Sequence, residues 1–201
     1  SSPLKAVVRR CRCSRRPDVM RARHLPFVLL GLGLAATQVA AAPLDTTGAS
    51  QCEVRGFATD TDPKGTNVRT APRADAAIIG RLPPLKDSMG VELDITGSKD
   101  GWLLARSEDG KLYGWVSGKL VSFTLGMRAL RTAPRRDAPL VMDLQGSDWG
   151  PSSVGVSAVH ACQGKYVDVT VRLLNGKTVR GWSWSPCATQ LTTCDRGGMV
   201  E

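Results

Sequence analysis

The sequence predicts an all-β protein built as two small barrels in tandem. Three features of the chain lead to that expectation. The stretch RTAP-R-x-D-A occurs twice, at Arg69–Ala76 and again at Arg131–Ala138. Downstream of each copy lies a run that alternates apolar and polar residues with the period of a strand. Each run then reaches a short glycine turn that closes in Gly-Trp. Three matches in the same order mark one structural unit used twice. Long helical periodicity is absent, and short β-like runs are broken by Gly, Pro, Asp and Asn.

The front of the chain reads as a targeting segment. The formal net charge of +9 is concentrated there. Residues 1–42 hold eight Lys/Arg and one acid, Asp18, a balance of +7. The remaining 19 basic and 17 acidic residues leave +2 for the rest. A nucleic-acid binder needs its positive charge on the folded part, so no nucleic-acid partner is expected. From Met20, Arg21 and Arg23 precede the apolar stretch Leu25 to Val39, and Val39-Ala40-Ala41 supplies small residues for cleavage. This is the layout of a secretory signal peptide over 20–42, cut after Ala41. The apolar run is short for a permanent span, which takes about 20 residues, so contact with the membrane is expected only in transit. Residues 1–19 lie upstream of this natural start and are read as extra encoded sequence. Their Cys11 and Cys13 have no further ligands nearby to make a metal site. The first cysteine beyond the leader, Cys52, follows Gln51, which does not suit a lipoprotein. The expected home is the bacterial periplasm or the exterior.

Behind the leader stand Cys52, Cys162, Cys187 and Cys194. An even number of cysteines after an export signal predicts disulfides. Three pairings are possible, and the spacing does not choose among them. No Cys-x-x-Cys pair is present and His160 is the sole histidine outside the leader, so no metal is expected.

Within the exported part, 43–50 reads as a linker, 51–124 as the first unit, 125–195 as the second and 196–201 as a tail. In the first unit "VELDIT" places Val91, Leu93 and Ile95 on one face and Glu92, Asp94 and Thr96 on the other. In the second, "YVDVTVRLL" places Val167, Val169, Val171 and Leu173 inward, with Asp168, Thr170 and Arg172 outward. Asp109-Gly110-Lys111 and Asn175-Gly176-Lys177 suggest two-residue hairpin turns with positive φ at both central positions. Val68 and Leu130 end strands pointing inward. Pro72 and Pro134 fix φ and cannot donate to a ladder, so the chain must bend there. Ile78, Ile79 and Leu82, and likewise Leu140, Val141 and Leu144, then open the next apolar strand. Short strands separated by such turns suggest a small barrel.

The run "NVRTAP…IIGRL…VELDITG…GWLLAR…DGKLYGWV" resembles the bacterial SH3-type (SH3b) domain, whose signature is Asn-Val-Arg-x-x-Pro early and Gly-Trp-Val late. The second unit resembles it more loosely, with Ala129-Leu130-Arg131 and Gly181-Trp182-Ser183 at those places and extra length between Leu144 and Gly155. The resemblance implies SH3-like barrels that bind peptidoglycan peptides or an envelope protein, without a cofactor. A different class of function fits the same features: a periplasmic interaction or inhibitor module aimed at a secreted or cell-wall enzyme. Aromatic side chains are the natural platform for such contacts. The candidates are Trp102, Tyr113 and Trp115 in the first unit and Trp149, Tyr166, Trp182 and Trp184 in the second. Trp115 and Trp182, in the closing motif, suit the core as well as a ligand. Arg69 and Arg131 suit a ligand carboxylate, or an internal ion pair with Asp75 and Asp137.

No catalytic residue is expected. A hydrolase of the cysteine type needs a nucleophile and a base together, and His160-Ala161-Cys162 supplies both types two positions apart. An oxidised Cys162, however, cannot attack. Carboxylates are numerous, but nothing in their spacing singles out a pair for glycoside hydrolysis.

Overall fold

The computed structural model describes residues 43–125, 129–144 and 155–190. Among them are twelve strands and no α-helix. The first seven are β1 (Ser50–Ala58), β2 (Thr66–Arg69), β3 (Ile78–Leu82), β4 (Glu92–Lys99), β5 (Trp102–Ser107), β6 (Tyr113–Ser117) and β7 (Val121–Ser122), with a 3₁₀ turn at Gly118–Leu120. They form one antiparallel sheet in the order β3-β2-β6-β5-β4-β1-β7. The others are β8 (Ala129–Arg131), β9 (Leu140–Asp143), β10 (Gly155–Gln163), β11 (Tyr166–Arg172) and β12 (Thr178–Trp184). They form a second antiparallel sheet, ordered β10-β11-β12-β8-β9. Read from its other edge, this sheet runs β9-β8-β12-β11-β10, strand for strand the order of β3-β2-β6-β5-β4.

The duplicated sequence builds the same bend in both sheets. Arg69 Nη1 donates to the Ala76 carbonyl at 2.7 Å, and Arg131 Nη1 to that of Ala138 at 2.8 Å. Thr70 N–H donates to Ala77 and Thr132 N–H to Pro139, both at 3.0 Å. Opposite each arginine, across the ladder, sits the closing tryptophan: Arg69 faces Trp115 and Arg131 faces Trp182. Of the two alternatives left open for these arginines, the ion pair with Asp75 and Asp137 is not formed. Asp75 pairs with Arg73 and Asp137 with Arg135, each two residues away at the exposed tip. The strand arginine is therefore free to fold back and satisfy a loop carbonyl that has no ladder partner.

The strands form as their alternation dictates. Leu93, Ile95, Val167, Val169, Val171 and Leu173 are all buried. Of the apolar residues following the bends, only Leu82 and Leu144 are buried. Ile78, Ile79, Leu140 and Val141 are exposed, because β3 and β9 are edge strands with little packed over them. The glycine turns also differ from expectation. Gly110 and Gly176 have positive φ, but Asp109 and Asn175 do not. Their side chains instead accept from the N–H of Lys111 and Lys177, at 3.1 and 2.9 Å. Gly110 and Gly176 donate back to Ser107 and Leu173. Each turn is thus an Asx turn with one left-handed glycine, and needs positive φ at one position only.

The two sheets share one core. A single buried cluster joins Val54, Leu93, Ile95, Leu103 and Val116 of the first sheet to Leu130, Leu144, Val159, Val167 and Val169 of the second. Burial of each such side chain contributes about 1.5–3 kcal/mol. Strand β10 makes the junction, packing against β1, β4, β7 and the 3₁₀ turn. At that turn a Cβ on Gly118 would meet the carbonyls of Val159 and Gly101, so only glycine permits the approach. A disulfide joins Cys52 on β1 to Cys162 on β10. Around it, Glu53 N–H donates to Gly164 O at 2.8 Å and Gly164 N–H to Gln51 O at 2.9 Å. Ser98 Oγ donates to the Cys162 carbonyl at 3.1 Å and accepts from the Cys162 N–H at 2.8 Å. Farther along, the Gln190 side-chain amide both donates to and accepts from the backbone of Gly90. Cys187 is disulfide-bonded as well. The expected leader, the stretch upstream of it and the tail lie outside the described residues, as do Trp149 and Cys194.

Candidate functional site

The candidate aromatic residues fall on both sheets, at strand positions that point away from the shared core. On the first sheet, Trp102 opens β5 and Tyr113 opens β6, both half-buried. Arg106 lies over the Tyr113 ring, 4.4 Å from its centre, and the Tyr113 hydroxyl is 3.2 Å from Thr96 Oγ1. Such a cation–π stack stabilises by about 0.5–1 kcal/mol where it is exposed. It also fixes the ring as a flat, rigid face.

Trp115 occupies a different setting. It is 0% exposed, because the stretch read as a linker lies over it. The indole Nε1 donates to the Asp45 carbonyl at 2.7 Å, and the Asp45 N–H donates to the Thr70 carbonyl at 2.8 Å. Asp45 is thus held through its own backbone, N–H on one side and carbonyl on the other. Its carboxylate turns back to accept from the Thr47 N–H at 3.0 Å. That hydrogen bond, then one from the Thr47 hydroxyl and the charges of Lys99 and Arg73, hold its pKa below the ordinary carboxylate value. Lys99 Nζ donates to the Thr47 carbonyl at 2.8 Å, closing the far end of the strap. Trp115 therefore presents no surface to a ligand.

On the second sheet the equivalent residue, Trp182, is half-buried, as are Tyr166 and Trp184. Arg136 lies over Trp184, 5.1 Å from its ring centre. Arg69 and Arg131 are half-buried and committed to their loop carbonyls, which accounts for their recurrence without a ligand. Asp168, expected to point outward into solvent, is 6% exposed. It does leave the core side of β11, but Arg180 covers it, donating from Nε at 3.1 Å and Nη2 at 2.7 Å. This bidentate pair compensates for loss of water at the carboxylate.

His160 sits beside that pair, its Nε2 2.7 Å from Thr170 Oγ1. Partial burial, and then the Arg180 charge, lower its pKa, with Asp168 opposing. The folded state thus favours neutral imidazole. The contribution is full above the ordinary histidine value of about 6.5 and is lost as pH falls below it, when the unfolded chain takes up the proton first. The melting temperature is expected to fall from pH 7 to pH 5 with a slope that His160→Gln flattens. An unchanged slope in the variant would assign the acid sensitivity elsewhere.

The geometry removes the one nucleophile considered. Cys162 is bonded to Cys52 and is 1% exposed. A bulge between Val159 and Ala161 also breaks the register that would place His160 and Cys162 on one face. Among the described residues no three His, Cys, Asp or Glu side chains gather as a metal site. A cleft of about 390 Å³ is lined in part by Glu53, Arg55, Glu92, Lys165 and Pro186, and none of the described candidate aromatics lines it. Its Arg55 is engaged by Glu92 and Asp94.

Three features of these faces were not read from sequence: the strap over Trp115, the Arg106–Tyr113 stack and the Asp168–Arg180 pair. Asp45-Thr-Thr-Gly48 carries the signature of an Asx turn and gave a local signal for the first. The other two need the strand register, which places Arg106 opposite Tyr113 and Asp168 opposite Trp182.

Both antiparallel sheets thus carry aromatic and arginine side chains on the faces turned from the shared core. Residues 64–122 match the family model described as Bacterial SH3 domain, which covers the first sheet from β2 to β7. The match points to a protein-binding or cell-wall-binding module. No curated protein and no solved structure matches the chain.

Proposed function

We propose that this is an exported, non-catalytic binding protein that recognises peptidoglycan peptides or an envelope protein through SH3b-type faces. In this reading a leader over 20–42 is removed, and 51–124 and 125–195 are two units of one kind, the second divergent. The observation that carries the reading is the bacterial SH3 match over the first sheet. The recurrence of its strand order in the second supports the duplication. The Cys52–Cys162 disulfide fits an oxidising compartment. With Cys162 spent on that bond, it cannot act as the nucleophile of an acyl transfer.

Co-sedimentation with purified peptidoglycan sacculi tests it. The wild-type chain is expected in the pellet, with saturation, and Trp102→Ala is expected to reduce retention. Equal retention removes Trp102 from the binding face. No retention of either chain favours a protein target, such as a secreted or cell-wall enzyme.

A further inference from the structure

The two sheets present the same local construction, yet among the described residues only that of the first is occupied. On the first, the Thr70 carbonyl and the Trp115 indole N–H together clamp the backbone of Asp45. On the second, Thr132 and Trp182 stand in the same relation. Each threonine follows an arginine tied to its loop, and each arginine faces the tryptophan across the ladder. Each threonine N–H is spent at 3.0 Å on the far side of the bend. Among the described residues, however, neither the Thr132 carbonyl nor the Trp182 indole N–H has a hydrogen-bond partner. The exposures follow. Thr70 is 6% exposed and Trp115 0%, whereas Thr132 is exposed and Trp182 half-buried.

We propose that Thr132 and Trp182 form a docking site for a peptide segment of a partner. One residue of that segment would be held through its N–H and carbonyl, as Asp45 is held on the first sheet. The proposal rests on reading the chain as a binding module and says where and how it binds. The strap on the first sheet serves as the template for the ligand. It is the run Pro43-Leu44-Asp45, outside any strand, with an apolar residue ahead of an acidic one that opens a turn to Thr47. The acidic residue has a counterpart in the second sheet's surroundings. Arg73 at the tip of the first bend recurs as the exposed Arg135 at the tip of the second, and each pairs with the aspartate two residues on. Backbone clamping gives affinity with little demand on side-chain identity, while the flanking charge sets the preference. The ligand class is therefore a peptide segment that carries an acidic residue behind an apolar one, as the strap does.

The probe is the capped peptide Pro-Leu-Asp-Thr-Thr-Gly-Ala, added to the full chain and followed by the indole N–H resonances in ¹H–¹⁵N spectra. The Trp182 signal is expected to move and saturate while that of Trp115 stays in place. Trp182→Phe keeps an aromatic ring but removes the donor, and is expected to weaken binding at least tenfold, read from the backbone amide signals of Arg131 and Thr132. Arg135→Glu, at an exposed position, is expected to weaken it three- to tenfold without altering the fold. A Trp182 signal that does not move at millimolar peptide overturns the proposal. So does equal affinity in Trp182→Phe, or a shift confined to Trp115. If sacculi or a protein partner still retain the wild-type chain in those cases, the binding reading stands and only this site is lost. If nothing retains the chain, both fall.

Discussion

Replacing Cys52 and Cys162 together by alanine is expected to cost about 3–5 kcal/mol of folding stability. The bond closes a loop of 110 residues between its ends, and cross-linking a loop that long removes much of the unfolded chain's freedom. It also holds β1 to β10, the strands that bring the two sheets together. Domains of this size have about 5–15 kcal/mol in total, so the loss is a large fraction. The Ser98 and Gly164 hydrogen bonds beside the disulfide involve backbone groups that the double variant keeps. The change therefore reports mainly on the cross-link and the buried sulfurs. Urea unfolding of the oxidised wild type and the double variant measures it. A difference below about 1 kcal/mol would show that the sheets stay together without the bond.

The second large effect is at Trp115. Trp115→Ala is expected to cost about 3–5 kcal/mol, the usual range for truncating a buried aromatic. It deletes the largest fully buried side chain and leaves the Asp45 carbonyl without its donor. Proteolysis near residues 43–49 is expected to become faster in the variant, because the strap loses its anchor. Trp182→Ala, at the matching place in the second sheet, is expected to cost only about 1–2 kcal/mol, since that ring is half-exposed. Paired urea titrations decide it. Equal costs would mean that both tryptophans are core residues, leaving the second sheet without an open face.

What could be read from the sequence was set by how local the causes are. Leu93, Ile95, Val167, Val169 and Val171 follow a period of two, which depends only on strand geometry, and all five are buried as that period requires. The repeated Arg-Thr-Ala-Pro bend was visible because its hydrogen bonds span only seven residues in each copy. Its inner wiring was not visible. Arg69 has a carboxylate and a carbonyl within reach of its loop, and spacing alone does not choose between them. The turn type at Gly110 and Gly176 depended on the side chains of Asp109 and Asn175 acting as acceptors, which dipeptide preference does not encode. The burial of Asp168 depended on Arg180, twelve residues away on the next strand. Least legible was the shared core. A strand with one apolar face reads the same whether it closes its own barrel or packs against a neighbour's. The pairing of Cys52 with Cys162 was equally open, since three connectivities fit four cysteines.

The site candidates divide along the same line. Trp102, Tyr113, Tyr166 and Trp182 are half-buried on strands, where an aromatic ring is part wall and part surface. Trp115 differs from Trp182 only because residues 43–49 lie across it. That distinction follows from tertiary placement of a segment that looks like a spacer.

The most direct test of binding without chemistry is to incubate the full chain with purified sacculi and assay both fractions over time. The protein is expected to saturate the pellet while soluble wall fragments stay at the level of a protein-free control. Steady release of fragments by the wild-type chain would contradict it, since it would require a catalytic group on faces assigned here to recognition.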